Sequence, residues 1–397
     1  MAVSIPSSIL IYLNRGTVGL KSSPICFFGF LVIGWPPMVV IILKFFGISL
    51  SEFNFVAIRF MPALIFGLLS IRLDSIKTIR QEAIFFLIPP LIALVYGVFD
   101  QQTYLYPIAW TLLALPYLFV TQTEINRFAI NSIYKLCIRG ILIVAVGIAF
   151  IQPEKAFTTC RADKCNTLGF VFAPEETQSN VMSLTLGLLV ALIDSRKRYV
   201  WIVANAFCLI FLAEFAGGRS GTAAGVGCFL SLLILKIGSE KISFTYKIYV
   251  SSLFFFSLIP VFFTFNPGQF TGRASLWISA REFIRESPLF GHGASFWIRL
   301  PATNELQANY SPHNIWLEIL LATGLMGTVS LCVAVIVSLA KCDSGIRPVA
   351  LSILSGLFVA GFSEAIVIPY RLIIAPGFFL VFIGITSSRK SRDEMRA

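Results

Sequence analysis

The chain has 397 residues, of which 57% are apolar, 14% aromatic and 13% charged, with 38 phenylalanines. Soluble domains carry about a quarter of charged residues, so this composition excludes a disordered chain, argues against a soluble enzyme domain and points to a bilayer. The net charge of +11 is read as lysine and arginine holding cytoplasmic loops in place, with no nucleic acid as partner.

A helix needs about 20 residues to cross the hydrocarbon. Residues 4–13 are too short and too polar at their edges to span, and no basic stretch precedes them as a signal peptide requires. Apolar segments then follow in chain order at 25–46, 55–71, 83–99, 104–120, 137–151, 181–193, 200–215, 221–237, 248–264, 315–340, 348–364 and 370–386. The expectation is an all-α integral membrane protein of about 12 transmembrane helices, a single polytopic domain over 1–397. Pro36-Pro37 argues for a kink or a broken helix in the first span. An even number of spans puts both termini on one side. Placing them in the cytoplasm gives every short inner connection basic residues, among them DSRKRY (194–199) and SSRKSR (387–392), as the positive-inside rule asks.

Two outer connections are long, 152–180 and 265–314. The first holds Cys160 and Cys165 in CRADKC. An oxidising exterior permits a disulfide there. The four-residue gap with no nearby histidine suits zinc poorly. The other cysteines sit mostly in apolar spans, where packing is the simpler account. The second loop is too long to lack structure of its own. Leu276, Trp277, Ala280, Phe283 and Ile284 recur at spacings of three and four, with Arg281, Glu282, Arg285 and Glu286 between them. This predicts a short amphipathic helix at the outer membrane face, stopped by Pro288 and Gly291.

The span centres are poor in charge. Polar residues gather instead near the outer ends: Arg59, Glu214, Arg219, Arg273, His313, Glu318, Glu364 and Arg371. A carrier is expected to show ionisable groups at mid-depth. This pattern favours chemistry at the external surface. Arg219 lies in AGGRSG (216–221), where glycines allow a tight turn and the guanidinium fork suits phosphate oxygens. A lipid headgroup would satisfy it equally. Arg273, in TGRASLW (271–277), precedes the amphipathic helix and could hold the same anion with the helix N–H groups, or be a solvated flanking charge. His313, in SPHNIWLEILLATGLMG (311–327), stands at a loop-to-helix junction and is the candidate proton acceptor; an ordinary interfacial histidine is the bland alternative. Asn314 beside it could cap the helix. His292, between two glycines, carries no assigned role. Glu214 is placed to orient Arg219. Glu364 and Arg371 flank the last outer turn, where they pair with each other or complete the pocket. Without HExxH or a Walker sequence, no zinc enzyme and no ATP-driven pump is expected.

The stretches GGRSGTAAG (217–225), TGRASLWISAREFIRESPLFGHG (271–293) and HNIWLEILLATGLMG (313–327) together resemble the O-antigen ligase and polymerase family of bacterial membrane glycosyltransferases. That family also holds exopolysaccharide polymerases and protein O-oligosaccharyltransferases. The informative likeness covers about 205–340. The resemblance implies a GT-C type fold with one large periplasmic loop, here 265–314, beside the active site, in the bacterial inner membrane. It implies an inverting, metal-independent transfer of glycan from an undecaprenyl-diphosphate carrier, with no cofactor. The acceptor would be a lipid A core sugar in a ligase or a second carrier-linked repeat in a polymerase; a protein acceptor is a third possibility. Chain-length regulators and flippases are the partners it suggests. It carries diphosphate binding onto Arg219 and Arg273 and catalysis onto His313. The region 264–314 is shorter than in many ligases. A flippase or carrier is the rival from another class, and it would keep working without His313. A pure membrane scaffold is the blandest reading, and it leaves the motifs unexplained.

Overall fold

The computed structural model describes residues 81–100, 160–161, 164–165, 184–193, 199–237, 244–293, 296–299, 312–342 and 347–365, with parts of 31–65 and 137–153. The expected spans 104–120 and 370–386, the Arg59 and Arg371 candidates and most of 25–71 lie outside the described residues. Where it is described, the chain is helical apart from one short strand pair. The helices are α1 (Gln81–Asp100), α2 (Tyr199–Phe215), α3 (Arg219–Ile237), α4 (Phe244–Phe262), α5 (Arg273–Glu286), α6 (Phe296–Arg299), α7 (Ile315–Lys341) and α8 (Arg347–Gly361). A further helical stretch at 184–189 runs into a 3-10 turn, Val190–Leu192. The strands β1 (Cys160–Arg161) and β2 (Lys164–Cys165) pair antiparallel.

These elements follow the apolar segments closely, since bilayer-length apolar runs have no better way to satisfy their backbone. Two of them, Phe244–Phe262 and Ile315–Lys341, are long and apolar enough to cross a membrane. The burial pattern is the reverse of a soluble helix. On α2 the buried positions are Ile202, Ala206, Leu209 and Ala213. Its large residues point outward: Trp201, Phe207 and Phe211 are all exposed. Small residues face the protein so that backbones approach closely, and large apolar ones suit lipid.

α3 shows the same logic most sharply. Gly221 and Gly225, four apart, lie against Gly187 of the 184–192 stretch. A Cβ on Gly187 would stand 1.9 Å from the Gly221 carbonyl oxygen, so the two backbones pack in direct contact. α3 also packs along α8, where Gly356 leaves room for Cys228. Serines and a tyrosine join the helices there: the Ser231 hydroxyl lies 2.7 Å from Tyr246 and 3.1 Å from Ser352.

α1 runs beside α7. It continues through Pro89 and Pro90. Proline has no N–H, so Pro89 deprives the Phe85 carbonyl of its helical donor. Ser330 of α7 supplies the missing donor at 2.5 Å.

α7 is not one continuous helix. The sequence predicts an unbroken span over 315–340, but Gly324 has φ +62° and ψ −164° and interrupts it. The loop after α5 fills the break. His292 and Gly293 donate their N–H groups to the carbonyls of Leu321 and Ala322, at 2.8 and 3.1 Å. Leu325 and Met326 donate to Pro288 and Leu289, at 2.9 and 3.1 Å. Four backbone groups that a break would leave unpaired are thus satisfied by one loop. The break opens the GLMG run (324–327), and the helix continues past it to Lys341.

The amphipathic helix predicted over the long loop is α5. It packs its apolar face on protein: Ala274, Leu276, Trp277 and Ala280 are buried with Leu317 and Leu321 of α7. Phe265, Phe270 and Phe362 ring the indole of Trp277 at centroid distances of 5.5, 5.0 and 5.6 Å. This aromatic cluster fixes where α5 begins, and therefore where Arg273 stands.

Candidate functional site

Three helix starts meet at one carboxylate. α3 opens after the tight turn 216–218, in which Gly217 has φ +87°. α5 opens after Gly272, also left-handed at +83°, so Arg273 is its first residue. α7 opens at the cap Asn314, with His313 just before it. Glu364 follows the end of α8 and reaches all three. Its Oε1 accepts from Arg273 at 2.9 Å and from the Ser220 hydroxyl at 3.3 Å. Its Oε2 lies 3.1 Å from His313 Nδ1.

Asn314 explains how His313 is held. It is fully buried. Its side-chain oxygen accepts from the N–H groups of Trp316 and Leu317, at 3.1 and 3.0 Å. Its amide nitrogen donates to the carbonyls of Ser257, Gly361 and Phe362, all within 3.1 Å. One side chain therefore caps α7 and pins it to α4 and to the end of α8. Its polar atoms are committed to the fold, so Asn314 positions the site. His313 adopts φ +51°, a left-handed conformation that a non-glycine residue holds only when its surroundings over-determine it. Buried Pro312 and the clamped Asn314 on either side do so.

The electrostatics centre on Glu364. Burial alone would raise its carboxyl. The His313 hydrogen bond, the Arg273 charge and the Ser220 hydroxyl more than offset this, and the group is held below its ordinary value. Glu364 is thus a carboxylate at neutral pH. A carboxylate can only accept, so His313 donates to it from Nδ1. Arg273 uses two of its donors on the Ser363 carbonyl, at 2.6 Å, and on Glu364. Its side chain keeps 27% exposure and that of His313 22%, so both reach the cluster's surface.

The remaining candidates divide. Arg219 is the exposed first residue of α3, next to Ser220. Glu214 is exposed and accepts the Thr222 hydroxyl at 2.7 Å, across the turn that carries Arg219. Arg371 lies outside the described residues; Arg273 and His313 take the two oxygens of Glu364. His292 turns away: its Nε2 lies 2.6 Å from the Phe283 carbonyl and its ring stacks on Phe296 at 4.3 Å. Glu318 is buried inside α7. Arg281 donates to the Phe263 carbonyl at 2.7 Å. Among the described residues, no group of three His, Cys, Asp or Glu side chains is arranged to hold a metal ion.

The sequence undervalues two residues. Ser220 carries no signal in the sequence, because a serine after an arginine is commonplace by itself. The sequence leaves Glu364 either pairing with Arg371 or completing the pocket, and its central place is hidden because it lies 51 residues from His313 and 91 from Arg273.

Comparison with known proteins agrees with the motifs. Residues 181–332 match the family model described as O-antigen ligase. No curated protein and no solved structure matches the chain significantly. The matched segment runs from the 184–192 stretch into α7 and includes Arg219, Ser220, Arg273 and His313. Over that segment, the chain is similar to the O-antigen ligase family.

Proposed function

We propose that the protein is an O-antigen ligase-like glycosyltransferase of the bacterial inner membrane. It moves a glycan from an undecaprenyl-diphosphate carrier to a sugar of the lipid A core. The observation that carries this reading is the Glu364 cluster, which gathers His313, Arg273 and the start of α3 at one place. The wider frame is a GT-C type bundle of about twelve spans over 1–397, with both termini in the cytoplasm and the 265–314 loop outside.

The cluster suits a single displacement. An acceptor hydroxyl approaches His313, whose Nε2 takes its proton as the oxygen attacks the anomeric carbon. The bond from that carbon to the diphosphate breaks as the new glycosidic bond forms, and the configuration inverts. Negative charge grows on the leaving diphosphate oxygens. Arg219, the uncommitted donors of Arg273 and the N–H groups at the helix starts are the groups suited to receive it. Glu364 offsets the charge of Arg273, which tempers its hold on the product. The leaving diphosphate is already activated, so neither ATP nor a metal is called for.

The test is direct. Purified protein in liposomes receives the native carrier-linked glycan, with lipid A core or a second equivalent of donor offered separately, and the products are resolved by mass. Glycan on lipid A core, lost in His313→Ala, is the expected result. Longer carrier-linked chains would make the enzyme a polymerase. Transfer undiminished in His313→Ala would remove His313 from the chemistry. A folded protein inactive on both acceptors would favour a carrier.

A further inference from the structure

Apart from the cluster around Glu364, the CRADKC segment shows an arranged backbone at 160–161 and 164–165. β1 and β2 form an antiparallel pair in which Cys160 stands opposite Cys165 and Arg161 opposite Lys164. Directly opposed residues of an antiparallel pair lie on the same face of the ladder, with Cα atoms about 4.5 or 5.5 Å apart according to the pair type. Disulfides bridge Cα separations of about 4.4 to 6.8 Å. Either pair type therefore places the two cysteines at bonding range without backbone movement. In this register the Cys160–Cys165 pair is the outer one and Arg161–Lys164 the inner one, so a cross-link between the cysteines closes the end of the ladder. A pair of two-residue strands has little else to hold it, since an isolated two-stranded ribbon is marginal in water.

We propose that Cys160 and Cys165 are joined by a disulfide that closes this hairpin on the outer side of the membrane. The placement outside rests on the orientation given under the proposed function. The bond itself rests on the register. Each thiol gives up one proton, and two electrons pass to a disulfide-type oxidant of the exterior compartment. The oxidant is attacked by one thiolate, held briefly as a mixed disulfide, and released as a dithiol when the second thiolate attacks. The remaining described cysteines stand elsewhere: Cys208 on α2, Cys228 on α3, Cys332 on α7, and Cys137 and Cys342 buried in the helical core. Peptide mapping therefore isolates the pair.

The experiment uses the full chain in the membranes of a bacterium with an oxidising exterior. Cells are quenched in acid, free thiols are alkylated, and the protein is digested with trypsin. Cleavage after Arg161 and Lys164 releases 162–164, so the peptide ending at Arg161 and the one beginning at Cys165 stay together only through a disulfide. The expected result is one tethered species that reduction splits into two peptides, each then taking a second, distinguishable label. It should vanish in Cys160→Ser. Both cysteines carrying the first label would overturn the proposal. A second arm reduces the solubilised protein and equilibrates it with oxidised glutathione. Tethering there but not in cells would mean that the register is right and the loop faces a reducing compartment, which overturns the orientation. Tethering in neither would mean that the register does not bring the thiols together. Neither result depends on transferase activity, so failure here leaves the reaction to be judged separately.

Discussion

Glu364 takes one cation, one imidazole and one hydroxyl on two oxygens, and each contact has a different consequence when the charge is removed. Glu364→Gln keeps the shape but offers an amide that can donate as well as accept, so it no longer fixes the proton on His313 Nδ1. Arg273 loses its counter-charge at the same time. We expect transfer to fall by about 100-fold or more, with the protein still folded; a product assay beside a thermal melt in detergent checks this. The pH dependence of stability follows from the lowered carboxyl. A depressed group contributes fully above its ordinary value, and the contribution drains away as pH falls from there through the folded-state value. Acidification below about pH 4.5, the ordinary glutamate value, should therefore lower the melting temperature of the native protein. In Glu364→Gln this acid branch should be shallower. Equal slopes in the two proteins would mean that the cluster adds nothing to stability.

At the scale of elements, the break in α7 decides the geometry. A Cβ on Gly324 would stand 2.3 Å from the Leu289 carbonyl, and the residue's φ is +62°. Gly324→Ala must therefore push the 288–293 loop away or straighten the helix. We expect a destabilisation of about 2–4 kcal/mol, as for other changes that combine backbone strain with lost hydrogen bonds, read as a drop in melting temperature. An unchanged melt would show that the loop docks without that contact. The helices themselves were legible: the apolar runs at 83–99, 200–215 and 315–340 became α1, α2 and α7 with ends shifted by a few residues. The break was not. Glycine is common in membrane helices, and the GLMG run looks alike as a turn, a packing notch or a gap. Only the docked loop, more than thirty residues earlier, distinguishes them. The same holds for the site. His313, Arg219 and Arg273 announce themselves by residue type and setting, whereas Glu364 acquires its meaning from partners distant in the chain.

For the whole molecule, orientation is the property on which the rest depends. Twenty of the 31 basic residues fall in the connections assigned to the cytoplasm or at the inner ends of the spans, including Arg196, Lys197 and Arg198. With the exposed Cys208 replaced by serine, Lys197→Cys should react with a membrane-impermeant maleimide only after the membrane is opened. Asn266→Cys, on the exposed turn before α5, should react in intact spheroplasts. The reverse pattern would invert the molecule and put the Glu364 cluster on the side of nucleotide sugars rather than of exported glycans. The loop seated in the break of α7 has a further consequence for how such a molecule is made. The gap in α7 is complete only with a segment synthesised earlier, and that segment finds its hydrogen-bond partners only once α7 exists. Neither can settle in the membrane ahead of the other, so the stretch from Pro288 to Lys341 must assemble late and as one piece. His313, just before α7 within that piece, reaches its strained setting only then, which keeps the proposed reactive centre unformed until the bundle around it is in place.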